Sequence, residues 1–347
     1  MANVNPAFWQ GKRVFLTGHT GFKGSWMGAW LTRLGAQVTG FSLAPETTPS
    51  HFALLPKEYE SIEGDIRDLG TLSTALRRAK PDIVLHLAAQ SLVRASYADP
   101  VGTYSTNVMG TLHVLEAIRR VPSVRAGLIV TSDKCYENRE TMTPYVETDP
   151  LGGHDPYSSS KGCTEILTSS MRRSFFKDSS CLIATVRAGN VIGGGDWATD
   201  RLIPDCIRAW VRRDLVKIRN PHAIRPWQHV LDPLSGYLRL AEALFSGRRA
   251  FADGWNFGPS LDSAWPVEKV VGAVKARLPT FDFIVEPSKQ HEAGLLTLDS
   301  GRAQRELGWK PLWGIETALG KTLDWYISYR ESGGLLTDKQ IREYVIE

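Results

Sequence analysis

Tyr157 and Lys161 stand four residues apart in Tyr157-Ser158-Ser159-Ser160-Lys161, a spacing that puts a phenol and an ammonium on one face of a helix. A free tyrosine is mostly protonated at neutral pH. A neighbouring lysine favours the phenolate, which makes Tyr157 a base for an alcohol proton. The pair also arises by chance on exposed helices, so its setting matters. Residues 126–131 (AGLIVT) form an apolar run that ends in Thr131-Ser132, and both hydroxyls are expected to meet the same substrate oxygen as Tyr157. Asp133 and Lys134 follow directly.

Thr17-Gly18-His19-Thr20-Gly21-Phe22-Lys23-Gly24 lies between a strand-like run and a helix-like one. Gly18 permits a tight turn, Gly21 lets the backbone approach a pyrophosphate, and Gly24 lets the helix pack close to the strand. The helix then offers free N–H groups and its positive dipole end to phosphates. Glycines also mark plain turns, but in this context the turn predicts a bound dinucleotide.

The elements that must position these groups alternate. Residues 12–17, 36–41, 83–87, 126–131 and 182–187 read as strands, and 25–34, 106–119 and 157–176 as helices. This order predicts an α/β fold, a doubly wound parallel sheet with helices on both faces and ligands at the carboxyl ends of the strands. After residue 190 the pattern loosens into loop-rich stretches with helical segments near 202–213 and 233–245. A smaller C-terminal α/β lobe is expected over 191–347, with 1–190 as the dinucleotide-binding part and segments of about 220–260 able to return to it.

A formal charge of +4 is spread along the chain without a basic block, which argues against nucleic acid and suits a small anionic ligand. An apolar fraction of 42% and a charged fraction of 22% are those of an ordinary globular protein. Four scattered cysteines, without CxxC or a nearby His pair, argue against zinc or a disulfide framework. No leader-like segment or membrane-length apolar run is seen, so a cytoplasmic enzyme without a metal or a membrane partner is expected. The eleven tryptophans are assigned to core and interface packing in preference to a sugar or base site.

The glycine spacing, G-x-x-G-x-x-G, resembles that of the short-chain dehydrogenase/reductase family in its extended, nucleotide-sugar form, which has a Rossmann fold. The resemblance places Gly18, Thr20, Gly21, Phe22 and Gly24 at the cofactor, Asp65-Ile66 beside the adenine, and Leu87-Ala88-Ala89-Gln90 beneath it. Asn107, Tyr157 and Lys161 are further cofactor positions. Asp65 as a plain loop carboxylate is the alternative. The second strand ends at Ser42, where an NAD-preferring relative usually carries an acid for the ribose hydroxyls. NAD is implied by resemblance, and NADP stays open because Ser42 would not repel a 2′-phosphate.

Asp133-Lys134 resembles the acid–base position of nucleotide-sugar 4,6-dehydratases. Residues 187–197 (RAGNVIGGGDW), 200–204 (DRLIP) and 224–230 (IRPWQHV) are similar to the branch acting on CDP-glucose. The resemblance runs from Phe8 to about Trp309. It implies Ser132, Asp133, Lys134, Tyr157 and Lys161 as the catalytic set, with Lys134 as base at C5 and Asp133 protonating the departing 6-hydroxyl. A lysine serves as base only after losing its proton, which Lys161 nearby would favour. A solvated Lys134, or one paired with Asp133 or Glu137, is the alternative. Arg94, Asn190, Arg201, Arg225, Asn256 and His291 would hold the sugar nucleotide, and Trp197 and Trp227 would pack over the base or fill the seam between lobes. His154 and Asp155 read as loop and helix-cap residues. Helices 106–119 and 157–176 resemble those that join relatives into homodimers or homotetramers. Two rival functions stay open: a nucleotide-sugar 4-epimerase, which would not need Asp133 and Lys134 as an acid–base pair, and a non-catalytic NAD(P)-sensing protein.

Overall fold

Val14 and Leu16 of β1 (Arg13–Thr17) point into one hydrophobic core and Phe15 into another, and all three are buried. A strand with both faces apolar calls for helices on both sides of its sheet. The computed structural model describes residues 4–278, 280–286 and 295–346. Along the chain follow β2 (Gln37–Ser42), β3 (Glu60–Glu63), β4 (Ile83–His86), β5 (Ala126–Val130), β6 (Leu182–Arg187), β7 (Asn190–Ile192), β8 (Leu215–Ile218), β9 (Ile224–His229) and β10 (Gly254–Asn256). The helices that bear on the site are α1 (Phe22–Arg33), α2 (Gly110–Arg119), α3 (Pro156–Phe175), α4 (Leu202–Arg212) and α5 (Leu231–Phe245).

Seven strands form one sheet in the order β10-β6-β5-β4-β1-β2-β3, every pair parallel. The predicted α/β doubly wound architecture is the one observed. Strand order reverses between β1 and β4, and such a switch point opens a crevice at the carboxyl ends of the strands. β10 enters this sheet beside β6, and α5 packs under β5 and β6, so later chain contributes to the first layer. β7 and β9 pair in parallel, with the strand Ala264–Pro266 antiparallel to β9, and β8 pairs with Asp282–Val285.

α3 carries the Tyr–Lys pair, and its start is strongly specified. Asp155 caps it by accepting from Ser158 N at 2.9 Å, and Pro156 occupies the first turn. The segment read as one regular helix over 106–119 is not regular: Ser105–Met109 is a π-turn ahead of α2. Hydroxyls of Thr111 and Thr164 donate to the Asn107 carbonyl at 2.7 and 3.0 Å, supplying partners where the α-helical ladder is interrupted. Trp9, Trp26, Trp30, Trp255, Trp309 and Trp325 are fully buried, as the packing assignment expects.

Candidate active site

A cleft of about 860 Å³ runs along the carboxyl ends of the strands and on to residues 188–227. Gly18 has φ of +73°, and a Cβ there would meet Ala88 N at 2.5 Å; at Gly24 it would lie 2.0 Å from the Gly18 carbonyl oxygen. Those two glycines are required by the protein's own packing. Gly21 differs: a Cβ would meet nothing closer than the Gly18 oxygen at 3.4 Å, and the residue faces the cleft. Its missing side chain leaves room for a ligand at the start of α1, which has no side-chain cap.

Thr20, Phe22, Ile66, Leu87, Ala88, Ala89 and Gln90 also line the cleft. Thr20 Oγ1 and Ser42 Oγ are 2.8 Å apart, which ties the glycine turn to the end of β2. Asp65 lines the cleft too, but its carboxylate is gripped by Arg67 at 2.6 and 2.8 Å, which holds it below the usual carboxylate range. Asn107 does not reach the cleft as predicted. It lies behind Gln90, accepting from Gln90 N and donating to Gln90 O, both at 2.9 Å, and donates to Ser160 Oγ at 2.9 Å. The π-turn aims it at the loop, so it positions that loop and α3.

Ser132 Oγ is the hub of the cluster around Tyr157 and Lys161. It donates to Asp133 Oδ1 at 2.9 Å and accepts from Lys134 N at 3.2 Å, and it lies close enough to the Tyr157 hydroxyl to favour its ionised form. Burial pushes the Tyr157 phenol up to about 12, and the Ser132 contact draws it back. Lys161 is almost fully buried and donates to the Val130 carbonyl at 3.4 Å, with its Nζ 6.0 Å from the centre of the Tyr157 ring. Burial pulls this ammonium down to about 8. Lys134 Nζ lies 3.5 Å from Asp133 Oδ1, so the ion pair named as the alternative is present, inside the cleft.

Thr131 corrects an expectation. Its hydroxyl turns from the substrate side and donates to Glu165 Oε1 at 2.5 Å and to the Val186 carbonyl at 3.2 Å. Glu165 is buried on α3 and gathers Thr131, Thr185 and Arg187 beneath the catalytic loop. Lys23 was missed. It sits within the glycine turn and lines the cleft, where burial and then the cation of Arg201 pull it down to about 8, with Asp133 opposing. Its signal was a charged side chain beside Gly24, but its direction depends on how α1 meets β5.

Arg94, Asn190, Arg201 and Arg225 also line the cleft. Arg201 donates to Asp196 at 2.9 Å and to Ser91 Oγ at 3.0 Å, and Arg94 and Arg219 each pair with Asp200 at 3.1 Å. Asn256 is not among the cleft residues. It is fully buried in β10, accepting from the Tyr136 hydroxyl and donating to the carbonyls of Tyr145 and Asp299, because β10 became a sheet strand. His291 lies outside the described residues. Trp227 is buried and donates to the Trp265 carbonyl at 3.0 Å, while Trp197 packs edge-on against Tyr326 and Tyr329, and both also line the cleft.

With this geometry in place, comparison with known proteins adds a lineage. Residues 15–322 match the GDP-mannose 4,6 dehydratase family. The chain is 47% identical to CDP-glucose 4,6-dehydratase of Salmonella typhimurium over 99% of its own length and 98% of that enzyme's. It belongs to this family of extended short-chain dehydrogenases/reductases. Among solved structures, an epimerase of Methanothermobacter thermautotrophicus is similar with a TM-score of 0.81 and 23% identity, covering 96% of both chains. A dTDP-glucose 4,6-dehydratase of Streptomyces venezuelae, solved with NAD bound, gives 0.78 and 24%, covering 92% of this chain and 97% of that one. These two support the fold. The glycine turn and the Tyr157–Lys161 pair line the same cleft.

Proposed function

We propose that the chain is an NAD-dependent CDP-glucose 4,6-dehydratase, a hydro-lyase converting CDP-glucose to CDP-4-keto-6-deoxyglucose and water in deoxysugar biosynthesis. The observation that carries this reading is the 47% identity with the Salmonella enzyme across nearly the whole of both chains. The Asp133–Lys134 pair beside Tyr157 supports it, because a 4-epimerase would have no use for that pair.

The cradle at Gly21, the uncapped start of α1 and the loop 87–90 suit NAD. Bound there, NAD would supply reversible hydride chemistry for sugar C4 and C6. Tyr157 accepts the 4-hydroxyl proton while Ser132 holds the same oxygen, and Lys161 holds the nicotinamide ribose. The 4-ketone acidifies the C5 proton. Asp133 and Lys134 rest as an ion pair, so elimination requires the proton to sit on Asp133. Lys134 then takes the C5 proton as Asp133 protonates the departing 6-hydroxyl. Lys134 gives its proton back to C5 when C6 is reduced. Tyr157 ends with one proton more and Asp133 with one fewer, and Ser132, which donates to Asp133 and stands beside Tyr157, offers the return path.

Incubating the purified protein with CDP-, dTDP-, UDP- and GDP-glucose tests the reading. Loss of one water from CDP-glucose, with a product absorbing in alkali, is expected; no dehydration of CDP-glucose sinks it. Lys134→Met should abolish deuterium exchange at C5 while leaving transient reduction of the cofactor. Unchanged exchange and turnover would remove Lys134 from the chemistry. NAD should bind more tightly than NADP in titrations of the apoprotein, although Ser42, bonded to Thr20, brings no charge to the choice. Tighter NADP binding would reverse the cofactor assignment.

Residues 1–190 are assigned to the dinucleotide and 191–347 mainly to the sugar nucleotide, with Gly254–Asn256 returning to the sheet. Exposed Met109, Ile166 and Phe175 on or beside α2 and α3 suit a homodimer or homotetramer seam. Among the described residues no helix is long and apolar enough to cross a membrane, and all four cysteines are free, which suits the cytoplasm.

A further inference from the structure

We propose that Asp205 reads the base, its carboxylate accepting a hydrogen bond from the exocyclic amine of cytosine and turning away bases that carry an oxygen at that position. This rests on the CDP-glucose reading. With the sugar at Tyr157 and the diphosphate among Arg94, Arg201 and Arg225, the nucleoside must occupy the end of the cleft beyond those arginines. That end is a slot between the first turn of α4 and β8. Ile203, Val216 and Ile218 give it buried apolar walls suited to the faces of a flat ring.

Asp205 opens onto the same slot. Arg208 pairs with its Oδ1, and Arg208 is itself fixed by donating to the carbonyls of Trp197 at 2.8 Å and Ala198 at 3.1 Å. The carboxylate is therefore oriented before any ligand arrives. Its Oδ2 takes no hydrogen bond among the described residues. Burial pushes the carboxyl upward against the pull of Arg208. The other carboxylate near this end, Asp200, is spanned by Arg94 and Arg219.

Cytosine presents an N–H donor at its 4-position, whereas uracil and thymine present an oxygen there. Asp and Glu pair with the cytosine amine for this reason, and an oxygen facing the carboxylate leaves two acceptors without a proton. Sites that satisfy a polar group of one ligand and strand it in the competitor discriminate strongly.

Asp205→Asn tests the proposal with defined geometry. Arg208 needs an acceptor, so the amide oxygen stays with it and the amide N–H2 turns to the base. The ratio of kcat/KM for CDP-glucose over UDP-glucose should fall about 10- to 100-fold, through a higher KM for CDP-glucose and a lower one for UDP-glucose. Wild-type protein that fails to use CDP-glucose overturns both readings. A wild type that prefers CDP-glucose and an active variant with the same preference overturn the Asp205 assignment alone. A measurement on the wild type covers a variant that fails to fold. CDP should inhibit about 10-fold better than the 5′-diphosphate of 2-pyrimidinone riboside, which lacks only the amine. Equal inhibition rejects the proposal.

Discussion

A Tyr157→Phe variant should fold and bind both ligands, yet dehydrate CDP-glucose about 10³-fold more slowly, the scale expected when a general base is removed. The substitution keeps the ring that α3 presents to the cleft and deletes the hydroxyl beside Ser132. Single-turnover mixing with NAD should give no transient reduced nicotinamide, because C4 oxidation needs that hydroxyl. Deuterium exchange at C5 of CDP-glucose should vanish too, since C5 is acidic only once C4 is a ketone. Exchange at C5 of the 4-keto product should survive, because the ketone is already present and Lys134 is untouched. Normal turnover in the variant would remove Tyr157 from its role. In the wild type, turnover should decline as pH rises through about 8, where Lys161 loses the charge that favours the phenolate.

The parts of this site legible in the sequence are those whose geometry is local. Gly18, Gly21 and Gly24 share one turn, and Tyr157 and Lys161 share one helical face, so residue type and spacing already imply their arrangement. The sheet was legible because apolar runs such as 12–17 and 83–87 alternate with helical ones. What failed depends on which neighbour arrives through the fold. Thr131 and Ser132 are adjacent in sequence, and only the buried Glu165 from α3 decides that one hydroxyl serves the interior and the other the cleft. Asn256 left the binding set once β10 joined the sheet and its amide was taken up by Tyr136 and two carbonyls. Asn107 moved behind the loop because a π-turn, invisible in the apolar pattern, rotates it there. Lys23 lies within a motif defined by its glycines, and its neighbours in the cleft come from distant segments.

Glu165→Gln should be the most destabilising conservative change near the site, lowering stability by about 3–5 kcal/mol and Tm by on the order of 10 °C. Glu165 and Arg187 are both buried and meet through two bonds, Nε to Oε1 at 2.9 Å and Nη2 to Oε2 at 2.8 Å. The carboxylate also accepts from Thr131 at 2.5 Å and Thr185 at 2.6 Å, so an amide leaves Arg187 without a counter-charge and one acceptor short. Arg187 holds Glu165 below the usual carboxylate range despite burial. That contribution to stability is present above the unfolded-state value of Glu and lost as pH falls through the lower native one. The variant should accordingly show a flatter acid limb in its stability curve. Replacing both partners by leucine should recover part of the loss, since the unpaired charge disappears. The pair also bears on chemistry, because Glu165 lies one turn beyond Lys161 and its charge opposes the burial that pulls Lys161 down. Removing that charge should move the alkaline limb of turnover below pH 8 in any Glu165→Gln protein that stays folded. A variant with wild-type Tm and an unmoved limb would show that the ion pair neither supports the catalytic loop nor tunes Lys161.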